Sequence, residues 1–408
     1  MSAPDPTPPG PPSRFKSVDV LRGFDMFWII GGAGIARALG KMDQNVVTDF
    51  IGSQLSHKDW AGLRFYDIIY PLFLFLVGFS IAFSIDKHRG EQSRAATVRR
   101  ILRRGMLLFL LGFVYHGGLA AKWPEVRFSG VLQMIAACYV IAAMLYLYFG
   151  PKWRRVAGTA AGLLAGYWLL LTFAPFPDVV LDRATLDPLA VQAGSSRPAD
   201  ILALVPGRQS GTYEAGHNFS NFVDYRYLPG KKANVYYESQ GLLSPLGATV
   251  ICLGGILAAL WLRREEVSPT RRAAWLAAGG AAAIGLGLLW SLQFPIVKKL
   301  WTSSFCLVTG GISALLLAGF YLVVDAWRFD RWCAPFLWLG TNSLTIYLGY
   351  ELIRFERISE RLIGADFRAY LDHQVAKGAG ALVQALVGLG LALALVRFLY
   401  NRRIFLRV

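Results

Sequence analysis

Charge is scarce in this chain: Asp, Glu, Lys and Arg make up only 17% of its 408 residues, against 55% hydrophobic ones. A soluble domain needs polar surface to cover its core, and this composition does not supply it, so water is excluded as the main solvent. Cysteine is also scarce. Cys138, Cys252, Cys306 and Cys333 fall in or beside apolar runs with no pairing or ligand spacing, which excludes a disulfide framework and leaves small buried hydrophobes. The chain lacks a phosphate-cradling glycine loop, a GxSxG elbow and any His/Cys metal spacing. Soluble cofactor enzymes, nucleotide-driven pumps and a resident metal are thereby set aside. The opening MSAPDPTPPGPPSR lacks the basic-then-apolar order of a cleavable signal, and residues 1–14 are expected to form a disordered cytoplasmic tail.

What the chain has instead is apolar blocks of roughly 20 residues, the length that crosses a hydrocarbon core of about 30 Å. They fall near 18–39, 64–84, 101–116, 130–147, 156–173, 242–262, 273–292, 303–324, 335–352 and 378–400. The runs are continuous rather than alternating, which rules out a barrel. The expected fold is all-α: a polytopic bundle of about ten transmembrane helices forming one domain over 15–408. The 42 glycines read as sites of close helix packing.

A net charge of +16 raises nucleic acid as a partner, but the basic residues sit in short clusters between apolar blocks, where they act as topology signals. With the N-terminus inside, just over half of the 42 lysines and arginines fall in cytoplasmic segments, among them the run from Arg94 to Arg104. Both termini are then cytoplasmic. The long segment at about 175–241 lies outside as a periplasmic loop, and its many aromatic residues argue for order. Residues 352–363 read as an interfacial amphipathic helix.

An ionisable group inside a span costs about 2.5–3.5 kcal/mol at its centre and calls for a partner or a task. Asp19, Arg22 and Asp25 are spaced i, i+3, i+6, so Arg22 can pair with either neighbour as a structural lock, or the group lines the inner mouth of a passage. His57 precedes the second span and Asp67 lies ten residues later inside it. Histidine suits proton transfer near neutrality and a carboxylate can orient it, although a histidine near a membrane surface also occurs without a task. Lys298 and Lys299 either snorkel to the interface or meet a polar substrate group. Asn342, Ser343, Tyr347 and Glu351 put a polar stripe on the ninth span.

The segments SVDVLRGFDMFW, HKDWAGLRFYDIIYPLFLFLVG, NFSNFVDYRYLPGK, YYESQGLLSPLGA, FPIVKKLWTSSF and GTNSLTIY occur in this order over nearly the whole chain. In them the chain resembles the heparan-alpha-glucosaminide N-acetyltransferase family and its bacterial NagX-like relatives. The resemblance implies an acetyl-CoA-dependent enzyme that moves an acetyl group across a membrane onto the amino group of a terminal glucosamine. The family's active histidine sits in an H-x-x-W-x-G-x-x-x-x-D-x-x-x-P pattern, matched here by His57, Trp60, Gly62, Asp67 and Pro71. Two departures bear on the acceptor: Glu238-Ser239-Gln240-Gly241 stands where the family has D-P-E-G, and Gly31 or Gly32 stands where relatives carry asparagine.

The expectation is therefore an acyltransferase in the lipid bilayer, with cytoplasmic acyl-CoA as co-substrate and an extracytoplasmic sugar or glycan as acceptor. His57 is the expected general base and Asp67 its orienting carboxylate. Arg22, Arg100, Arg103 and Arg104 are expected at the coenzyme A phosphates. Trp60, Lys298, Lys299, Trp301 and Asn342 are expected at the acceptor. No metal or nucleic acid is called for, and a homodimer is left open. The rival from another class is a permease for an amino sugar or related solute, which intramembrane charges fit as well, although no inverted repeat is visible.

Overall fold

A computed structural model describes residues 15–42, 45–89, 93–120 and 122–406; the proline-rich tail expected over 1–14 lies outside the described residues. Among the described residues the protein is all-α apart from two short two-stranded pairings. Among the described residues seven helices are long and apolar enough to cross a membrane: Phe65–Lys87, Val131–Phe149, Trp153–Phe173, Ser244–Leu262, Pro269–Trp290, Ser303–Ala326 and Ala379–Asn401. Only helices can cross as single segments, because lipid offers no partner to an unpaired backbone group.

The other three expected spans are also helical, but each is compromised in a way the apolar count did not show. The first is continuous over Lys16–Phe27, Trp28–Gly32 and Ala33–Met42, with a π-type middle segment. The third begins at Arg94, not 101, and carries its arginine cluster within the helix Arg94–Tyr115. The ninth is broken at Asn342 into Ala334–Thr341 and Ser343–Ile353.

Glycine decides which helices meet most closely. Phe65–Lys87 and Ser244–Leu262 cross at the centre of the bundle, where a Cβ on Gly78 would lie 1.9 Å from the Cys252 carbonyl and one on Gly255 would lie 1.9 Å from the Phe75 carbonyl. The first helix meets Ala334–Thr341 in the same manner, through Gly23 against Phe336 and Gly340 against Asp19. Such contacts bring backbones together where apolar burial alone supplies little drive in lipid.

The bundle has two unlike ends. At one, Asp86 accepts from Tyr146 Oη (2.7 Å) and Arg263 (2.6 Å), and Lys16 pairs with Asp330 (2.5 Å); this is the basic end. At the other, the segment between Phe173 and Ser244 folds into an ordered cap, the loop end. Its strands pair Phe176–Pro177 with Arg208–Gln209 and Tyr213–Glu214 with His217–Asn218, beside helices Arg183–Ala193, Pro198–Ala203 and Phe219–Tyr227. Val179, Leu181, Leu186, Ile201 and Tyr225 give the cap a core of its own. The expected amphipathic helix is Phe355–Ile363; it buries Phe355 and Ser359 while Leu362 stays exposed.

Candidate active site

His57 lies in the turn between helices Val46–Gln54 and Phe65–Lys87, and Asp67 occupies the first turn of the second. Helix N-termini expose unpaired N–H groups that favour a carboxylate. Asp67 Oδ2 accepts the backbone N–H groups of Lys58 and Arg64, both at 3.2 Å, and Oδ1 faces His57 Nδ1 at 2.9 Å and Lys298 Nζ at 3.0 Å. Asp67 is fully buried while the His57 ring is half exposed. With Nδ1 donating to the ionised carboxylate, which only accepts, Nε2 keeps the lone pair; Lys298 Nζ also lies 2.9 Å from Nδ1. The ring is braced by Tyr66, with centroids 4.9 Å apart, and Arg64 ties the turn together by donating to Ser56 Oγ (2.6 Å) and the His57 carbonyl (3.0 Å).

Lys298 comes from a turn remote in sequence. Gly62, at φ +111°, donates its N–H to the Ile296 carbonyl (2.8 Å), and Ala61 bridges Val297. That backbone docking delivers the ammonium to Asp67. Burial lowers the Lys298 pKa from the ordinary lysine value, Asp67 opposes this, and Lys299 lowers it further.

Two cavities meet behind the histidine. The loop-end cavity, about 200 Å³, is bordered by His57, Lys298, Tyr66, Tyr70, Gln240 and Tyr347. The basic-end cavity, about 370 Å³, is bordered by Arg22, Ser80, Arg104, Tyr139 and Thr341. Phe73, Leu132, Ile135, Ser343 and Leu344 line both, so the two abut inside the bundle.

Gln240 reaches the first cavity because the cap holds its backbone. Ser129 Oγ donates to the Gln240 carbonyl, Arg127 pairs with the buried Glu238 (3.0 Å), and Asp224 accepts from Leu242 N (2.9 Å) and Glu238 N (3.3 Å). Burial pushes Asp224 up to about 7; its two N–H donors oppose this and the Glu238 charge adds to it. An unfolded aspartate titrates near ~3.9. Between these values the folded state holds the extra proton, so cap stability falls as pH rises from about 4 to about 7 and is level above that. Hydrogen exchange at the Glu238 and Leu242 amides, corrected for intrinsic rate, is expected to be slower at pH ~5 than at pH ~8. Equal protection at both would remove Asp224 as the cause.

The structure joins some of the expected residues and separates others. Arg22 donates to Asp19 (3.1 Å) and Ser80 (2.9 Å), making the Asp19–Arg22 ion pair. Asp25 is not an ion-pair member: it is fully buried and neither oxygen has a hydrogen-bond partner among the described residues. Arg104 borders the basic-end cavity, its guanidinium 4.8 Å from the Tyr139 ring centroid. Arg100, on the same face one turn nearer the helix start, does not border it, and Arg103, about 100° around the helix from Arg104, is exposed.

On the loop side, Trp60 donates Nε1–H to the Tyr213 carbonyl (2.7 Å) and Lys299 lies over its ring at 5.8 Å, both at the rim and not in the cavity. Trp301 is a core residue, not an acceptor contact: it is 1% exposed and packs edge-on against Tyr70 and Phe305. Asn342 is likewise buried at the helix break and borders neither cavity. Sequence reasoning passed over Tyr66, Tyr70, Ser80 and Tyr139, which lie within apolar runs as ordinary interfacial or packing residues would.

A bundle of long apolar helices, with a buried carboxylate, a histidine and a lysine gathered beside an internal cavity, defines an integral membrane protein. Residues 14–232 match the family described as heparan-alpha-glucosaminide N-acetyltransferase, catalytic, and the chain belongs to that family. It is similar to heparan-alpha-glucosaminide N-acetyltransferase of Mus musculus, 25% identical over 98% of this chain and 62% of the relative. The Homo sapiens enzyme of that name is 24% identical over 97% of this chain and 60% of its own length. The chain thus spans about three fifths of the relatives' length.

Proposed function

We propose that this protein transfers an acetyl group from cytoplasmic acyl-CoA to an amino or hydroxyl group of an extracytoplasmic sugar or glycan. The observation that carries the reading is the pair of abutting cavities: a proton acceptor borders one, arginines border the other, and five residues wall both. Coenzyme A is too polar to cross a bilayer, and a sugar outside cannot enter one. A shared chamber lets each reactant reach in from its own side.

On this reading all ten helical segments cross, both termini are cytoplasmic, the basic end faces the cytoplasm of a bacterial inner membrane, and His57 opens outward. The acceptor nitrogen or oxygen attacks the thioester carbonyl carbon while His57 Nε2 takes its proton. The carbon–sulfur bond then breaks, and coenzyme A leaves as a thiolate that is protonated from the imidazolium or solvent. Asp67 keeps Nδ1 protonated and the ring aligned. Arg104 and Arg22 attract the phosphates, while Trp60 and Lys299 at the rim meet the acceptor. Membranes containing the protein, given labelled acetyl-CoA outside-in and inside-out with a panel of amino sugars and glycans, test the reading. Label on an acceptor outside supports it; unmodified solute moving across supports a permease and overturns it.

Arg104→Ala is expected to weaken coenzyme A binding by about tenfold or more, with the loss shrinking as salt screens the charge. Arg103→Ala, on the other face, should bind as the native protein does. Titration of purified protein with coenzyme A reads both, and the reverse ranking would put the phosphates elsewhere.

A further inference from the structure

Lys298 stands where a substrate-binding cation would stand, yet its ammonium is committed to Asp67. Its Nζ is 3.0 Å from Oδ1, the oxygen that His57 Nδ1 meets at 2.9 Å, and 2.9 Å from Nδ1 itself. With Nδ1 protonated, the ring N–H and the ammonium are both donors and converge on the one acceptor, Asp67 Oδ1. A histidine paired only with a buried carboxylate is biased toward imidazolium, because the carboxylate favours the charged ring. An imidazolium cannot accept a proton. Here, protonating the ring would set a second positive charge beside the ammonium with one carboxylate to serve both. With a neutral ring the lysine, aspartate and histidine sum to no net charge.

The other charged and titratable groups near the ring do not duplicate this arrangement. Arg64 is turned to Ser56 and the His57 carbonyl, Lys299 lies over Trp60, and Lys58 contributes only its backbone N–H to Asp67. Asp59 is exposed, and Tyr66, Tyr70 and Tyr347 border the cavity as phenols.

We propose that Lys298 is a positioning residue for the base: by occupying Asp67 it holds His57 in the neutral, proton-accepting form, so the working unit is Lys298–Asp67–His57. This rests on reading His57 as the general base. It moves Lys298 from acceptor contact to control of the histidine, and it explains why a turn more than two hundred residues away is docked by backbone bonds onto the His57 turn.

Diethyl pyrocarbonate acylates neutral imidazole and spares imidazolium, so the extent of His57 modification against pH, read by peptide mass spectrometry on the full-length protein, reports the neutral ring without any substrate. In Lys298→Met the midpoint for His57 should move up by about one pH unit or more, since a like charge has been removed. Lys298→Arg keeps the charge and should stay near the native curve. Lys298→Gln retains a donor for Asp67 and removes only the charge. His217, paired with Asp178 at 2.9 Å in the cap, is the internal control, and the neutral variant that retains its native His217 curve is the one read. An unmoved His57 midpoint in that folded variant overturns the proposal, whatever its turnover. Failure of the general-base reading has a different signature, native turnover in His57→Ala, which the modification curves do not touch.

Discussion

His57→Ala is expected to lower acetyl transfer by roughly 10² to 10⁴, the usual contribution of a positioned acid–base group. Coenzyme A binding should be almost unchanged, because the ring is half exposed and borders the cavity opposite the arginines. Asp67→Asn is expected to do different damage. The carboxylate accepts from two backbone N–H groups, the imidazole and the ammonium, and an amide would turn a donor toward one of them. It would also leave the Lys298 charge buried without a counter-charge, a change of the kind that costs about 3–5 kcal/mol. Turnover per folded molecule and thermal stability in detergent, measured for both variants, separate the two effects. A folded His57→Ala protein that still transfers acetyl at the native rate would remove the proposed mechanism; an Asp67→Asn protein as stable as native would show that Lys298 finds another partner.

The second large effect is expected from Gly78→Ala and Gly255→Ala. At each, the added methyl would sit 1.9 Å from a carbonyl oxygen of the neighbouring helix. Backbone cannot rotate aside as a side chain can, so the two helices must part. Overpacking of this kind costs typically about 1–3 kcal/mol, and a backbone obstacle lies at or above the upper end. Phe65–Lys87 carries Asp67 and much of the cavity wall, so separation should also reduce transfer. Gly158→Ala and Gly162→Ala are the controls: nothing lies within 4 Å of either added methyl, and alanine is the better helix former. Melting curves in detergent decide the matter, and equal stability of all four variants would contradict the close approach.

The helical segments were legible in the chain because lipid demands long apolar runs that satisfy their own backbone hydrogen bonds, a signal carried along one dimension. The His57–Asp67 pair was legible for a related reason: both residues lie on one turn and the helix start that follows it, so their meeting needs only local folding. The cap was legible as ordered, but its helices were not, since short mixed segments lack the periodicity of a span. Other features were decided only by tertiary structure. Arg22 takes Asp19 and leaves Asp25 without a hydrogen bond among the described residues, Arg104 turns to the cavity while Arg103 turns away, and Trp301 goes into the core. Lys298 reaches Asp67 from a distant turn. Spacing fixes which residues share a face of one helix, but not how that helix is rotated in the bundle or which neighbour it meets. Those are set by glycine contacts between backbones and by turns docking onto turns, and both exist only once the bundle has assembled.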